Sequence, residues 1–75
     1  RDVSGRRLVQ VLCQHWQYAE VHQAGSHIII ETISPSQQRI AIPAHNPLRV
    51  GTLNSILRSV ARHKGVTREA LLARL

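Results

Sequence analysis

The chain is poor in aromatic residues. Trp16 and Tyr18 are the only Trp and Tyr among 75 residues, and neither Phe nor Met occurs. Two rings are too few for a platform on which single-stranded bases stack. Cys13 stands alone, which excludes an internal disulfide and a cysteine-based metal cluster. It falls on the apolar side of a helical pattern and reads as a small core residue rather than a nucleophile. No apolar run approaches the ~20 residues of a membrane span, and no signal-peptide pattern is present. A cytoplasmic location with no membrane contact is therefore the expectation. The sequence contains no G-x-x-x-x-G-K-[ST] or G-x-G-x-x-G, so a nucleotide cofactor is not expected. It has no G-x-S-x-G elbow for a serine hydrolase either. Ser26 adjoins His27, but neighbours on a strand point to opposite faces.

What the chain has is positive charge. Ten Lys and Arg face four Asp and Glu, a formal net charge of +6. Nine of the ten cations are arginine, and Lys64 is the single lysine. The guanidinium is a planar fork of donors that matches phosphate. This charge density points to nucleic acid or an acidic protein as partner. The length suits one domain over residues 1–75. A domain this small buries only roughly 60% of the surface its unfolded chain exposes, so its core must be economical.

Helical and strand periods alternate along the chain. Ser4 is a good N-cap, with Val3 and Leu8 as a hydrophobic staple. Leu8, Val9, Leu12, Cys13 and Trp16 recur at helical spacing, which predicts a helix over Gly5–His15 with Trp16 in the core. Residues 17–22 alternate as a strand does, Gln23 to Ser26 form a four-residue loop, and a second strand runs from His27 to about Ile33. Ser34 to Gln38 is a turn, and Arg39–Ile42 is a third strand that Pro43 stops. A second helix starts near Thr52, with Leu53, Ile56, Leu57, Val60 and Ala61 on one face, and Gly65 ends it. Thr67 caps a last short helix carrying Leu71, Leu72 and Leu75. The order α-β-β-β-α-α predicts a two-layer α+β domain with helices on one face of an antiparallel sheet.

Parity assigns the faces. A four-residue loop pairs His22 with His27, Glu20 with Ile29 and Tyr18 with Glu31. Ala19, Val21, Ile28, Ile30, Ile40 and Ile42 then face the helices. Tyr18, Glu20, His22, His27, Ile29, Glu31, Arg39 and Ala41 lie on the open face, which brings His22 and Arg39 towards His27.

Five histidines invite a metal, and His22 and His27 could supply two ligands. Zinc wants three or four, no third is evident, and H-E-x-x-H is absent, so no metal is assigned. Histidine has an ordinary pKa of about 6.5 and exchanges protons near neutral pH. On a basic surface that chemistry suits RNA, which carries its own nucleophile in the ribose 2′-OH. A base that removes the 2′-OH proton lets the oxygen attack the adjacent phosphate, and the charge that develops must be stabilised by cations or N–H groups. Arg39 and Arg49 are the cations expected to do so. The helix start at Gly51-Thr52 is either a phosphate site or a plain cap. Arg58 and Arg62, one turn apart, either track the RNA backbone or form a solvated face. His45 is either a general acid or a residue that shapes its loop.

Gly25-Ser26-His27 has companions: Val3-Ser4-Gly5-Arg6, Ile42-Pro43-Ala44-His45, and Gly51-Thr52-Leu53-Asn54-Ser55-Ile56-Leu57. In this order they resemble the HicA family of toxin–antitoxin toxins, over nearly the whole chain. The resemblance implies a double-stranded-RNA-binding-domain-like fold. It implies an mRNA interferase acting in a stress response, with His27 as the essential residue, and a HicB-type antitoxin covering the active face. Where family members often carry a basic residue, this chain has Gln23-Ala24 and Ala44, which leaves fewer cations beside His27.

Two other functions compete with a ribonuclease toxin. One is a non-catalytic RNA-binding module of the same fold, reading A-form shape through phosphates and 2′-hydroxyls. The other is a structural element whose basic face meets an acidic protein.

Overall fold

A computed structural model describes residues 2–75 as helix α1 (Gly5–His15), strands β1 (Ala19–Ala24), β2 (His27–Thr32) and β3 (Gln38–Pro43), and helices α2 (Val50–Lys64) and α3 (Arg68–Leu72). The sheet is antiparallel in the order β1-β2-β3, so β1 and β3 are both edge strands. The two-layer α+β arrangement is the one the periodicity predicts.

Local chemistry explains the helix ends. The Ser4 hydroxyl accepts from the Arg7 N–H at 3.0 Å, and Val3 and Leu8 are both buried as a staple requires. Gly65 closes α2 in the left-handed region at φ 67°, with its N–H on the Ala61 carbonyl. The Thr67 hydroxyl caps α3 through the Ala70 N–H at 3.1 Å. α2 starts at Val50, two residues before the expected Thr52, and Arg49 at its N-cap offers no side-chain cap.

Ile28, Ile30 and Ile42 are fully buried and meet Leu8, Leu12, Leu53, Leu57 and Val60 from the helices. Each such side chain contributes about 1.5–3 kcal/mol by leaving water. Trp16 was expected inside; it is half-buried at the C-cap of α1 and packs against the core margin. Cys13 is half-buried as well, and burial followed by the Glu20 charge pushes its thiol pKa up, against a nucleophilic role.

The first hairpin departs from the expected register. β1 is Ala19–Ala24, displaced from the expected 17–22, and the connection is a two-residue turn, Gly25-Ser26, not a four-residue loop. Gly25 takes φ 61°, as the first position of a II′-type turn requires. Ala24 therefore pairs with His27, and His22 pairs with Ile29. The ladder then shifts between Glu20 and His22, leaving Val21 as an extra residue, so that Glu20 pairs with Ile30 and Ala19 with Glu31. One added residue flips every side chain beyond it. Tyr18, expected on the open face, is buried in the core, and Glu20 turns to the helical side. Ala19 and Val21, expected in the core, are exposed.

α1 and α2 both start at the His27 end of the sheet. The Gly5 N–H donates to the His45 carbonyl at 2.9 Å and the Leu48 N–H to the Val3 carbonyl at 2.7 Å, while Pro43 pairs with His27. At the far end, Lys64 donates to the Thr32 hydroxyl at 2.9 Å and to the Ser34 carbonyl at 2.6 Å. No helix is long and apolar enough to cross a membrane among the described residues.

Candidate functional site

His27 opens β2 directly after the turn. Its neighbours on the strand, Ile28 and Ile30, point into the core, so alternation sends the His27, Ile29 and Glu31 side chains to the open face. His27 is exposed. Directly across from it stand Ala24 on one side and Pro43 on the other. The expected His22–His27 pair is not formed. His22 is exposed on the same face at the diagonal position, about 7–8 Å away by sheet geometry.

The backbone around His27 is held tightly. The Ala44 N–H donates to the Ser26 carbonyl at 2.7 Å, which pins the turn to the chain leaving β3. His45 is fixed through its carbonyl by Gly5, and its side chain is exposed. Ser26 is exposed in the turn. Thus Ser26, His27 and His45 share one end of the sheet.

The arginines are distributed differently from the sequence expectation. Arg39 lies on the open face, but it pairs with Glu31, four residues along from the His27–Pro43 pair. That is about 13 Å at 3.3 Å per residue. Its guanidinium is 3.5 Å from the Glu31 carboxylate. Arg39 is therefore not beside His27. Arg49 is exposed at the N-cap of α2, and Thr52 is half-buried in its first turn. With no side-chain cap, the first N–H groups of α2 carry the positive end of the helix dipole towards solvent. Arg58 and Arg62 are exposed farther along α2, and both line a groove against the β2–β3 connection. His27 and the Arg58/Arg62 pair are thus on different faces of the domain.

Sequence reasoning missed the polar tie at the far end. Thr32 is the buried polar residue of the core, and it receives the Lys64 ammonium, which also lies 4.8 Å from the centre of the Tyr18 ring. Burial lowers the Lys64 pKa and raises that of Tyr18 to about 12. The single lysine is a structural group. The only signal for it in the sequence was a lysine at a helix C-terminus, which a plain dipole contact also explains.

No group of three or more His, Cys, Asp or Glu side chains is placed to hold a metal among the described residues. Compared with family models, curated proteins and solved structures, the chain matches none.

Proposed function

We propose that the protein is a metal-independent endoribonuclease toxin of the HicA type, cleaving mRNA in the cytoplasm with His27 as general base. The observation that carries this reading is the exposed His27 imidazole on the open sheet face, at the end where both long helices begin, in a chain of charge +6. The α-β-β-β-α order supports the double-stranded-RNA-binding-domain-like fold that the resemblance implies.

His27 takes the proton of a ribose 2′-OH. The 2′-oxygen attacks the adjacent phosphorus, the bond to the 5′-oxygen breaks, and the products are a 2′,3′-cyclic phosphate and a free 5′-OH. A well-placed base is worth about 10² to 10⁴ in rate. His22, on the same face at the diagonal position, and His45, exposed at the same end of the sheet, are the two imidazoles available to return a proton to the leaving 5′-oxygen. The open N–H groups at the start of α2, with Arg49 and Thr52, begin at the same end of the domain as His27 and are the candidates to stabilise the charged phosphorane. A HicB-type antitoxin would silence the enzyme by covering the open face.

A non-catalytic RNA-binding module is the second reading. It is favoured by the neutral residues opposite His27, Ala24 and Pro43, and by the engagement of Arg39 with Glu31.

Cleavage of a defined mRNA by wild-type and His27→Ala protein separates the two. The expected result is loss of cleavage in the variant with RNA binding retained, persistence of wild-type cleavage in excess EDTA, and cyclic-phosphate ends. A fully active His27→Ala protein overturns the assignment. A wild-type protein that binds RNA without cutting it selects the second reading.

A further inference from the structure

Arg6 donates to Gln23 at 2.9 Å, Arg7 to Gln10 at 3.1 Å and Arg68 to Asn54 at 2.8 Å, while Arg39 lies against Glu31. No hydrogen bond or ion pair among the described residues engages the guanidinium of Arg49, Arg58, Arg62 or Arg74. Of these, Arg58 and Arg62 together border a groove of about 540 Å³ between α2 and the β2–β3 connection.

Fixed contacts hold that groove open. Gln38 donates to the Ser59 hydroxyl at 3.2 Å while its carbonyl oxygen accepts from the Tyr18 hydroxyl. The His63 ring bonds the Ser36 carbonyl at 2.8 Å. With these groups committed, the groove presents two free guanidinium forks, the Ser55 hydroxyl and the remaining O–H donor of Ser59. Its lining contains no carboxylate. It is therefore arranged for an anion. Apart from Pro35 it offers no apolar side chain to bury, so recognition there rests on charge and hydrogen bonds. A phosphodiester backbone suits it better than an acidic peptide.

The groove is remote from His27. Gln38 pairs with Thr32, five residues from the His27–Pro43 pair, or about 17 Å along the sheet. The groove also lies on the helical side, whereas His27 is on the open face. A stacked strand rising about 3.4 Å per nucleotide needs at least about five nucleotides to connect them. The exposed β3 edge, with Arg39 beside Gln38, lies between the two.

We propose that the Arg58–Arg62 groove is an anchoring site for the RNA backbone, several nucleotides away from the bond on which His27 acts. This rests on the ribonuclease reading for the position of the cut, but its binding arm can be tested without cleavage. The first measurement is fluorescence anisotropy of a 12-nucleotide single-stranded RNA on His27→Ala protein, with and without Arg58→Gln/Arg62→Gln, over a range of salt. The expected result is a loss of affinity of tenfold or more, and a slope of log K against log salt that flattens by about 1.4, from two contacts at about 0.7 each. Arg74→Gln, a change of exposed charge elsewhere, should leave both nearly unchanged. Equal losses from Arg74→Gln would reduce the effect to net charge and overturn the proposal. Displacement of the RNA by polyglutamate as effectively as by unlabelled RNA would overturn it in favour of an acidic protein partner. The second measurement uses protein with His27 intact. The double variant should raise KM on the 12-mer with kcat unchanged, and leave cleavage of a 4-mer unaltered. A fall in kcat with KM unchanged would overturn the anchoring role. If the binding arm holds and no RNA is cut, the anchor stands and the catalytic reading falls.

Discussion

A Cβ on Gly5 would stand 1.8 Å from the Pro43 carbonyl oxygen, closer than any real contact allows. The first residue of α1 is thus pressed against the residue that pairs with His27. The Gly5 N–H bonds the His45 carbonyl across the same junction. Only glycine fits there, and the segment that carries His45 depends on it.

Gly5→Ala should therefore destabilise the fold by about 1–3 kcal/mol, the usual cost of overpacking. Urea unfolding measures this. The variant should also shift the amide resonances of Ser26, His27 and Ala44, because the displaced Pro43 pulls on the Ala44–Ser26 bond. An unchanged midpoint would mean that the junction yields freely.

Lys64 ties the end of α2 to the β2–β3 connection. Lys64→Met keeps the aliphatic stem but removes the ammonium donor from the Thr32 hydroxyl and the Ser34 carbonyl. Those two residues keep only their mutual bonds, in which the Ser34 N–H donates to the Thr32 hydroxyl and that hydroxyl donates to the Ser34 carbonyl, both at 3.3 Å. Losing the charged donor should cost about 1–3 kcal/mol in urea unfolding. Thr32→Val should cost less in the Lys64→Met background than in wild type, because there it no longer breaks the bond to the ammonium. Equal costs in the two backgrounds would show that the pair is not coupled.

Tyr18 gives an alkaline limit. Its folded-state pKa is pushed up to about 12 by burial, against an ordinary value of 10.0. The unfolded chain therefore loses this proton first. The contribution is complete below pH 10 and is lost as pH rises towards 12, with a ceiling of about 1.4 kcal/mol per pH unit. Lys64, lowered by burial, acts oppositely as pH approaches its ordinary 10.5. Urea unfolding of wild type and Tyr18→Phe at pH 9 and 11.5 isolates the tyrosine. The stability difference between them should change by 1 kcal/mol or more, to the disadvantage of wild type. An unchanged difference would show that the ring is not desolvated.

Helix α1 was legible because cap, staple and apolar stripe agreed on the same eleven residues. The open-face placement of His27 was legible because Ile28 and Ile30 fix the parity of β2. The hairpin was less so. A two-residue turn and a four-residue loop give His22 the same parity, so its face came out right while its partner did not. The extra residue at Val21 leaves no mark in the sequence, because Val and Ala suit a bulge and a regular strand equally. Gln17 takes φ 64°, a region where glutamine is uncommon, so nothing announced the sharp exit from α1. The distance from Arg39 to His27 depended on the β2–β3 register, which composition does not encode.

The open face also bears on the proposed antitoxin. Ile29 lies at its centre, half-buried, with His22 directly across on β1 and Ala41 on β3. Around it stand His27, Arg39 and Glu31. A small apolar centre rimmed by two imidazoles and the Arg39–Glu31 ion pair fits a partner with an apolar knob and carboxylates placed to meet the imidazole and guanidinium nitrogens. Such a partner buries His27 and excludes RNA from the open face. Ile29→Asp places a carboxylate where the apolar contact would form, and its side chain faces away from the core, so the domain should still fold. Titration with a HicB-type antitoxin should show wild type bound at least tenfold more tightly than Ile29→Asp, with resonance shifts confined to His22–Glu31 and Arg39–Pro43. Bound protein should no longer cleave RNA. Equal affinity for the two proteins, with shifts on α1 and α2 instead, would place the partner on the helical side and require inhibition from a distance.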